Sequence, residues 1–456
     1  MRRARHLMPA VHILTLKAHR TLRYNRRMEA HSEGTTRQTV LSNNVVLLEQ
    51  SVDHHKTAAL SFYFAAGSRF EGEGQRGAAH FVEHMLFKGT KTRTLKQIAT
   101  VFESMGGLFN AYTEKETVCI YCSFPSQDIS CFCQAVDILC DISEGCTFPT
   151  GEVERERGVI QSEILSGEDD PDECAMEEVC RAVWGDQNLA LPITGTCEEV
   201  ASLSRQTLLS WYERYIASGE LVVAAAGKLW HDELVERLLK LSPRKKALRQ
   251  IERAHFTQPV TWLQGSKVVP SKFAQVQLFC LYPMKDDLTC EQFHTLEVFN
   301  SIAGEATTSR LFFSLREESG LCYQTGSLWT THEGAGFWGA YAVCEKDKAH
   351  EARGGIEREL KRLALCDITC DEVDTAKKRL SGLEVMSECR PAYLAQRLWS
   401  NYSMGFALST TDQVLDEIAC VTRDDVAAFA VSLLDETKRA TVVYGADALG
   451  INRVAQ

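Results

Sequence analysis

The stretch His80-Phe-Val-Glu-His84 limits what this chain can be more than any other part of it. On an α-helix, residues four apart share one face, so both imidazoles can reach a single ion. Two neutral imidazoles hold Zn²⁺ and leave room for a third ligand and a water. Glu83 stands just before the second histidine, placed to take a proton from that water. The order is the reverse of H-E-x-x-H. A pattern of five residues also arises by chance, so a third ligand and a substrate site must be sought elsewhere.

A length of 456 residues implies two or three domains. The formal charge of −11 argues against a nucleic-acid binder and fits a soluble protein that favours basic ligands. No apolar run reaches bilayer length, so no membrane span is expected. The 17 cysteines are scattered, and the chain is much larger than a disulfide-stapled module. Cys119-Ile-Tyr-Cys122 lies in a strand-like run, where the two thiols point to opposite faces. Free thiols in a reducing compartment are the expectation, with the cysteines serving as small core residues.

Residues 1–27 contain eight basic side chains and no acid, within a basic extension over 1–37. They read either as an organellar transit peptide, although without serine, or as the product of a start assigned upstream of Met28. The first option places the protein in the mitochondrial matrix and the second in the cytoplasm, which is the expectation taken. From about residue 38 the chain reads as globular. Thr39–Glu49 forms a hairpin turning at Ser42-Asn43-Asn44, and Ala58–Gly67 a buried strand leading to the His80 helix. A helix follows at 94–105, then a strand over Phe109–Thr113. In the helix beginning at Gly151, Glu156 and Glu163 are two turns apart on nearly one side. Glu163 is a candidate third metal ligand and Glu156 a supporting carboxylate; alone, this pattern also suits a charged, solvated face.

The chain then repeats. Arg205 to Gly227 and Arg423 to Gly445 have equal lengths, and each reads as helix, turn, strand and glycine. A duplicated α+β domain follows: a metal-binding copy over 38–241, a linker over 242–262 and a second copy over 263–456. The counterpart of the metal helix is Phe293-His-Thr-Leu-Glu-Val-Phe299. There His294 and Glu297 keep the H-x-x-E spacing, but Val298 replaces the second histidine. The second domain is therefore expected to bind no metal, with His294 an ordinary helical residue.

With these pieces in place, the chain resembles the pitrilysin family of zinc peptidases, the inverzincins. Its branches include insulin-degrading enzymes, mitochondrial processing peptidases and short bacterial relatives. The likeness runs from about residue 38 to the C-terminus. It rests on Ala79–Thr90, on Gly106-Gly-Leu-Phe-Asn-Ala-Tyr-Thr113, on Glu156–Glu163 and on Trp184-Gly-Asp. It continues in Ser309–Arg316 and Gly320-Leu-Cys-Tyr323. The resemblance implies His80, His84 and Glu163 as zinc ligands, Glu83 as general base and Glu156 as supporting acid. It implies that Arg316 and Tyr323 steady the bound peptide and its oxyanion, and that Asn110 and Ala111 lie on an edge strand that pairs with substrate. It further implies a clamshell of two α+β domains, each a mixed β-sheet flanked by helices, around a chamber for short or unfolded peptides.

A chain of this length is then expected to be a homodimer, or a heterodimer with a family member. The acidic run Glu168–Glu173 either biases the site towards basic peptides or is a solvated loop. The function expected is zinc endopeptidase; the alternatives are a presequence-processing peptidase and a non-catalytic scaffold subunit.

Overall fold

The computed structural model describes residues 35–244 and 260–445. Most of the basic extension and most of the 242–262 linker therefore lie outside the described residues. In the first half, β1 (Thr36–Val40) and β2 (Val46–Ser51) form an antiparallel hairpin. Asn44 makes the turn in the left-handed conformation, φ 67°, which asparagine tolerates better than most residues. Next come β3 (Thr57–Phe64), α1 (Ala78–Met85), α2 (Leu95–Met105), β4 (Leu108–Thr113) and β5 (Val118–Pro125). They are followed by α3 (Ile129–Gly145), α4 (Thr150–Gly167), α5 (Pro171–Trp184), α6 (Cys197–Ser202), α7 (Arg205–Tyr212), β6 (Leu221–Gly227) and α8 (His231–Leu238). The sheet order is β1-β2-β6-β3-β5-β4, with β2 and β6 parallel and the other pairs antiparallel.

The second half holds β7 (Gly265–Pro270), β8 (Val276–Pro283), α9 (Cys290–Asn300), β9 (Gln324–His332) and β10 (Ala335–Cys344). After these come α10 (Ala349–Ala364), α11 (Cys370–Glu388), α12 (Pro391–Met404), α13 (Thr411–Cys420), α14 (Arg423–Leu433) and β11 (Ala440–Gly445). Its sheet order, β7-β11-β8-β10-β9, repeats β2-β6-β3-β5-β4 strand for strand, including the parallel pair. The duplication inferred from two short stretches thus extends to five strands of each sheet, with β1 an addition to the first.

Each sheet buries both faces. In the first half, one face packs against the half's own helices, with Phe62, Phe81, Phe102 and Phe132 in the core. The other face is covered by α12, which belongs to the second half; Trp399 stacks on Tyr63 with ring centroids 4.1 Å apart. Reciprocally, α5 of the first half lies on the outer face of the second sheet, where Trp184 meets Phe337. Both exchanged helices begin with a proline at N1, Pro171 and Pro391, which ends the preceding long helix and starts the crossing one. Cys119 and Cys122 are buried on opposite faces of the first sheet, as their strand spacing requires. No helix among the described residues is long and apolar enough to cross a membrane.

Candidate metal centre

α1 is short, and its start is fixed by a glycine and a buried carboxylate. Gly77 precedes it at φ 81°, where a Cβ would meet the Thr194 carbonyl at 2.6 Å, so glycine is required on both counts. The buried Glu71 carboxylate accepts hydrogen bonds from the N–H groups of Gly77 (2.9 Å) and Ala79 (2.7 Å). It thereby satisfies donors that the first turn of a helix leaves unpaired. Burial pushes the Glu71 carboxyl up to about 8, although both N–H groups favour its charged form. Ala78, Ala79, Phe81, Val82 and Met85 are buried, and the helix packs against α4, α7 and β4. Arg157 of α4 lies over the Phe81 ring and donates to the carbonyls of Val200 and Leu203, which fixes α4 beside α1.

This packing brings His80, His84 and Glu163 together, with one potential ligand atom from each within 4.8 Å of the others. Nε2 of His84 lies 3.4 Å, and Nε2 of His80 4.0 Å, from Glu163 Oε2. The Glu163 side chain is half exposed, so the cluster is open to solvent on one side. Two imidazoles, one carboxylate and an open side form the donor set of a catalytic zinc site, and the residues present fit that ion. His80 is held to about 4, by burial first and by the neighbouring His84 second; a neutral imidazole is the ligating form. Nδ1 of His80 is buried without a protein partner. Hydrogen bonding to His84 lowers the Glu163 carboxyl below its ordinary range.

Glu156 is buried behind the cluster. Its Oε2 lies 3.1 Å from His84 Nδ1, and its Oε1 takes Lys88 Nζ at 2.6 Å. Burial acts to raise the Glu156 carboxyl, but hydrogen bonds from Lys88 and His84 outweigh it and the group is lowered. A carboxylate on the far nitrogen fixes the ring so that Nε2 faces the metal position. Glu156→Gln should therefore weaken zinc binding by about 10–100-fold, as read by competition with a chromophoric chelator. Unchanged affinity would remove Glu156 from this role.

Glu83 stands beside the cluster, and its Oε2 accepts a hydrogen bond from Thr113 Oγ1 at 3.0 Å. Burial pushes the Glu83 carboxyl up, against the pull of His84 and Thr113. Thr113 closes β4, an edge strand that among the described residues pairs with β5 alone. On that edge Asn110 is exposed and Ala111 buried, and the Ala111 N–H is met by Asn110 Oδ1 at 2.9 Å. Arg316 and Tyr323 lie in the second half and are half exposed. Arg316 stacks over Phe312, and neither residue bonds to the His-His-Glu cluster. Of the acidic run, Asp170 caps α5 and Asp169 pairs with Lys272 at 2.5 Å, so part of it serves local structure. Sequence reasoning missed Glu71, Lys88 and Thr113. Lys88 and Thr113 lie within the stretches that carry the family likeness, whereas Glu71 left no signal because its partners are backbone groups.

A duplicated α+β fold with a two-histidine, one-carboxylate centre in one copy is the architecture of a zinc peptidase. The comparisons specify which: residues 45–197 match the family described as Insulinase (Peptidase family M16), residues 202–380 match the Peptidase M16 inactive domain, and the chain belongs to the M16 family. An "uncharacterized zinc protease" of Rickettsia bellii is 28% identical, over 88% of this chain and 96% of the relative. The mitochondrial-processing peptidase subunit beta of Mus musculus is 30% identical, over 76% of this chain and 71% of the relative. A peptidase M16 inactive domain from Pseudomonas fluorescens shares the fold with a TM-score of 0.82 at 18% identity, covering 91% of this chain and 98% of that one.

Proposed function

We propose that this chain is a zinc metalloendopeptidase that hydrolyses short or unfolded peptides in an enclosed chamber, using His80, His84 and Glu163 as ligands. The observation that carries the reading is the convergence of those three side chains beside Glu83, a partly buried carboxylate with its pKa raised. Zinc held there supplies Lewis acidity, bringing the pKa of water to about 7 and polarising a carbonyl. Glu83 accepts the water's proton on its carboxylate and delivers it to the leaving amine, with Thr113 holding the carboxylate in place. Glu156 and Lys88 act behind His84 by fixing its ring.

The substrate lies extended along β4, its backbone replacing Asn110 Oδ1 at the Ala111 N–H. Arg316 and Tyr323 contact the bound peptide and the oxyanion from the second half, and the assembly is a homodimer. The net charge of −11 favours basic peptides.

The test is incubation of the purified chain with a mixed pool of unfolded peptides, before and after metal removal by chelation. Cleavage lost on chelation and restored by zinc is expected, as is loss of both zinc and cleavage in His84→Ala. A zinc-loaded chain that cuts nothing would point instead to a scaffold subunit. The likeness to the mouse processing-peptidase subunit favours a narrower reading, presequence processing. Selective cutting of basic amphipathic peptides in the same pool would support it, and indifference to them would not.

A further inference from the structure

In the second half, α9 occupies the place that α1 has in the first, and it packs against α11, α13 and α14. Cys290 and His294 are four residues apart on α9 and therefore share a face. Glu417 approaches that face from α13. Its Oε2 lies 2.9 Å from His294 Nε2 and 3.5 Å from Cys290 Sγ. The three potential ligand atoms fall within 4.8 Å of one another, the same limit that holds His80, His84 and Glu163 together. The His294 side chain is more than nine-tenths buried, and its Nδ1 lies 2.8 Å from Glu297 Oε2. A carboxylate on Nδ1 directs Nε2 towards a metal position, as Glu156 does for His84.

We propose that Cys290, His294 and Glu417 form a second zinc site, which clips α9 to α13 in the half whose counterpart of α1 carries no second imidazole. The site is independent of the peptidase reading of the first half. A thiolate, an imidazole and a carboxylate select zinc over magnesium or calcium, which take oxygen ligands. Three protein ligands leave a fourth position to water. Filling the site requires the Cys290 thiol to lose its proton and His294 to present a neutral ring, so uptake releases protons to solvent. The competing occupant is a proton on His294. Burial lowers that imidazole, but hydrogen bonds to Cys290 and Glu297 hold it up to about 10.

The site keeps an open position but has no free general base beside it, so its role is to hold α9 to α13. Glu297 corresponds to Glu83, but its carboxylate is engaged by His294 Nδ1, whereas Glu83 is held by Thr113 beside its cluster. The expectation that Val298 makes this half metal-free looked for a second histidine on the same helix. It overlooked a cysteine one turn earlier and a carboxylate from another helix.

The test is Co²⁺ titration of the metal-stripped full chain, because cobalt bound to a thiolate gives a near-ultraviolet charge-transfer band that a His-His-Glu centre lacks. Two equivalents per chain and that band are expected in the wild type. Cys290→Ser should lose the band and one equivalent while still cleaving peptides. His84→Ala should lose the other equivalent and keep the band, which separates failure at the first site from failure at the second. Glu417→Gln, at a half-buried position, repeats the measurement should Cys290→Ser fold poorly, and it should weaken or remove the band. One equivalent in the wild type, or a band that survives both Cys290→Ser and Glu417→Gln, would overturn the proposal.

Discussion

Replacing Glu83 by glutamine should leave zinc bound and slow peptide hydrolysis by about 10²–10⁴-fold, the usual contribution of a positioned general base. The change is close to isosteric. The introduced amide would keep a carbonyl oxygen for the Thr113 hydroxyl, and Glu83 is outside the His80, His84 and Glu163 set, so the metal position is undisturbed. What is lost is a group able to accept a proton. That loss belongs to the reaction step and should appear in kcat with KM little changed.

The same residue sets the acid side of the pH profile. Burial raises the Glu83 carboxyl of the metal-free chain above the ordinary carboxylate range, whereas a dication beside it favours the charged form. The pH at which hydrolysis falls on the acid side, as the base becomes protonated, therefore reports the balance of the two. Metal analysis and steady-state kinetics on the same sample decide the point. A zinc-loaded Glu83→Gln chain with normal turnover would place the base elsewhere.

The candidate metal centre was legible in the sequence where its logic is local. His80 and His84 lie on one helix at a fixed spacing, and Glu156 and Glu163 lie on another, so helical periodicity alone puts each pair on one face. What periodicity could not supply is that α4 lies beside α1; the family likeness supplied that. Groups acting through long-range contacts left no trace. Glu71 caps α1 by reaching backbone N–H groups, which carry no side-chain signature.

The second half shows the same limit from the other side. His294 was visible as a relic of duplication, but Glu417 is more than a hundred residues away and comes from a helix whose counterpart, α6, contributes nothing to the His80, His84 and Glu163 cluster. The exchange of α5 and α12 between the halves was likewise hidden. An apolar helix face says that it will be covered and does not say by which sheet. Arg316 and Tyr323 rest on likeness alone, since neither bonds to the cluster.

That exchange makes Glu384→Ala the substitution expected to cost the most stability, about 3–5 kcal/mol, because it strands a buried cation. Arg397 on α12 pairs with Glu384 of α11, and each side chain is only 7% exposed. Glu384 also receives the Tyr393 hydroxyl. The remaining partners of Arg397 are neutral: Gln50 Oε1 on β2 at 3.0 Å and Thr411 Oγ1 at 3.1 Å. Its Nε is buried with no partner at all. Without Glu384 the guanidinium keeps its full charge, since arginine does not deprotonate in proteins, and little around it compensates.

The Gln50 contact ties the first sheet to a helix of the second half, so the damage should reach both halves as one unfolding event. A denaturant midpoint shift seen by tryptophan fluorescence is the measurement, because Trp399 stacks on Tyr63 in that interface. The double variant Glu384→Leu with Arg397→Met removes both charges together. It should recover most of the loss, since apolar replacements of similar size substitute well for a buried pair. If the double variant is as unstable as Glu384→Ala, the loss comes from packing and the stranded charge is not its cause.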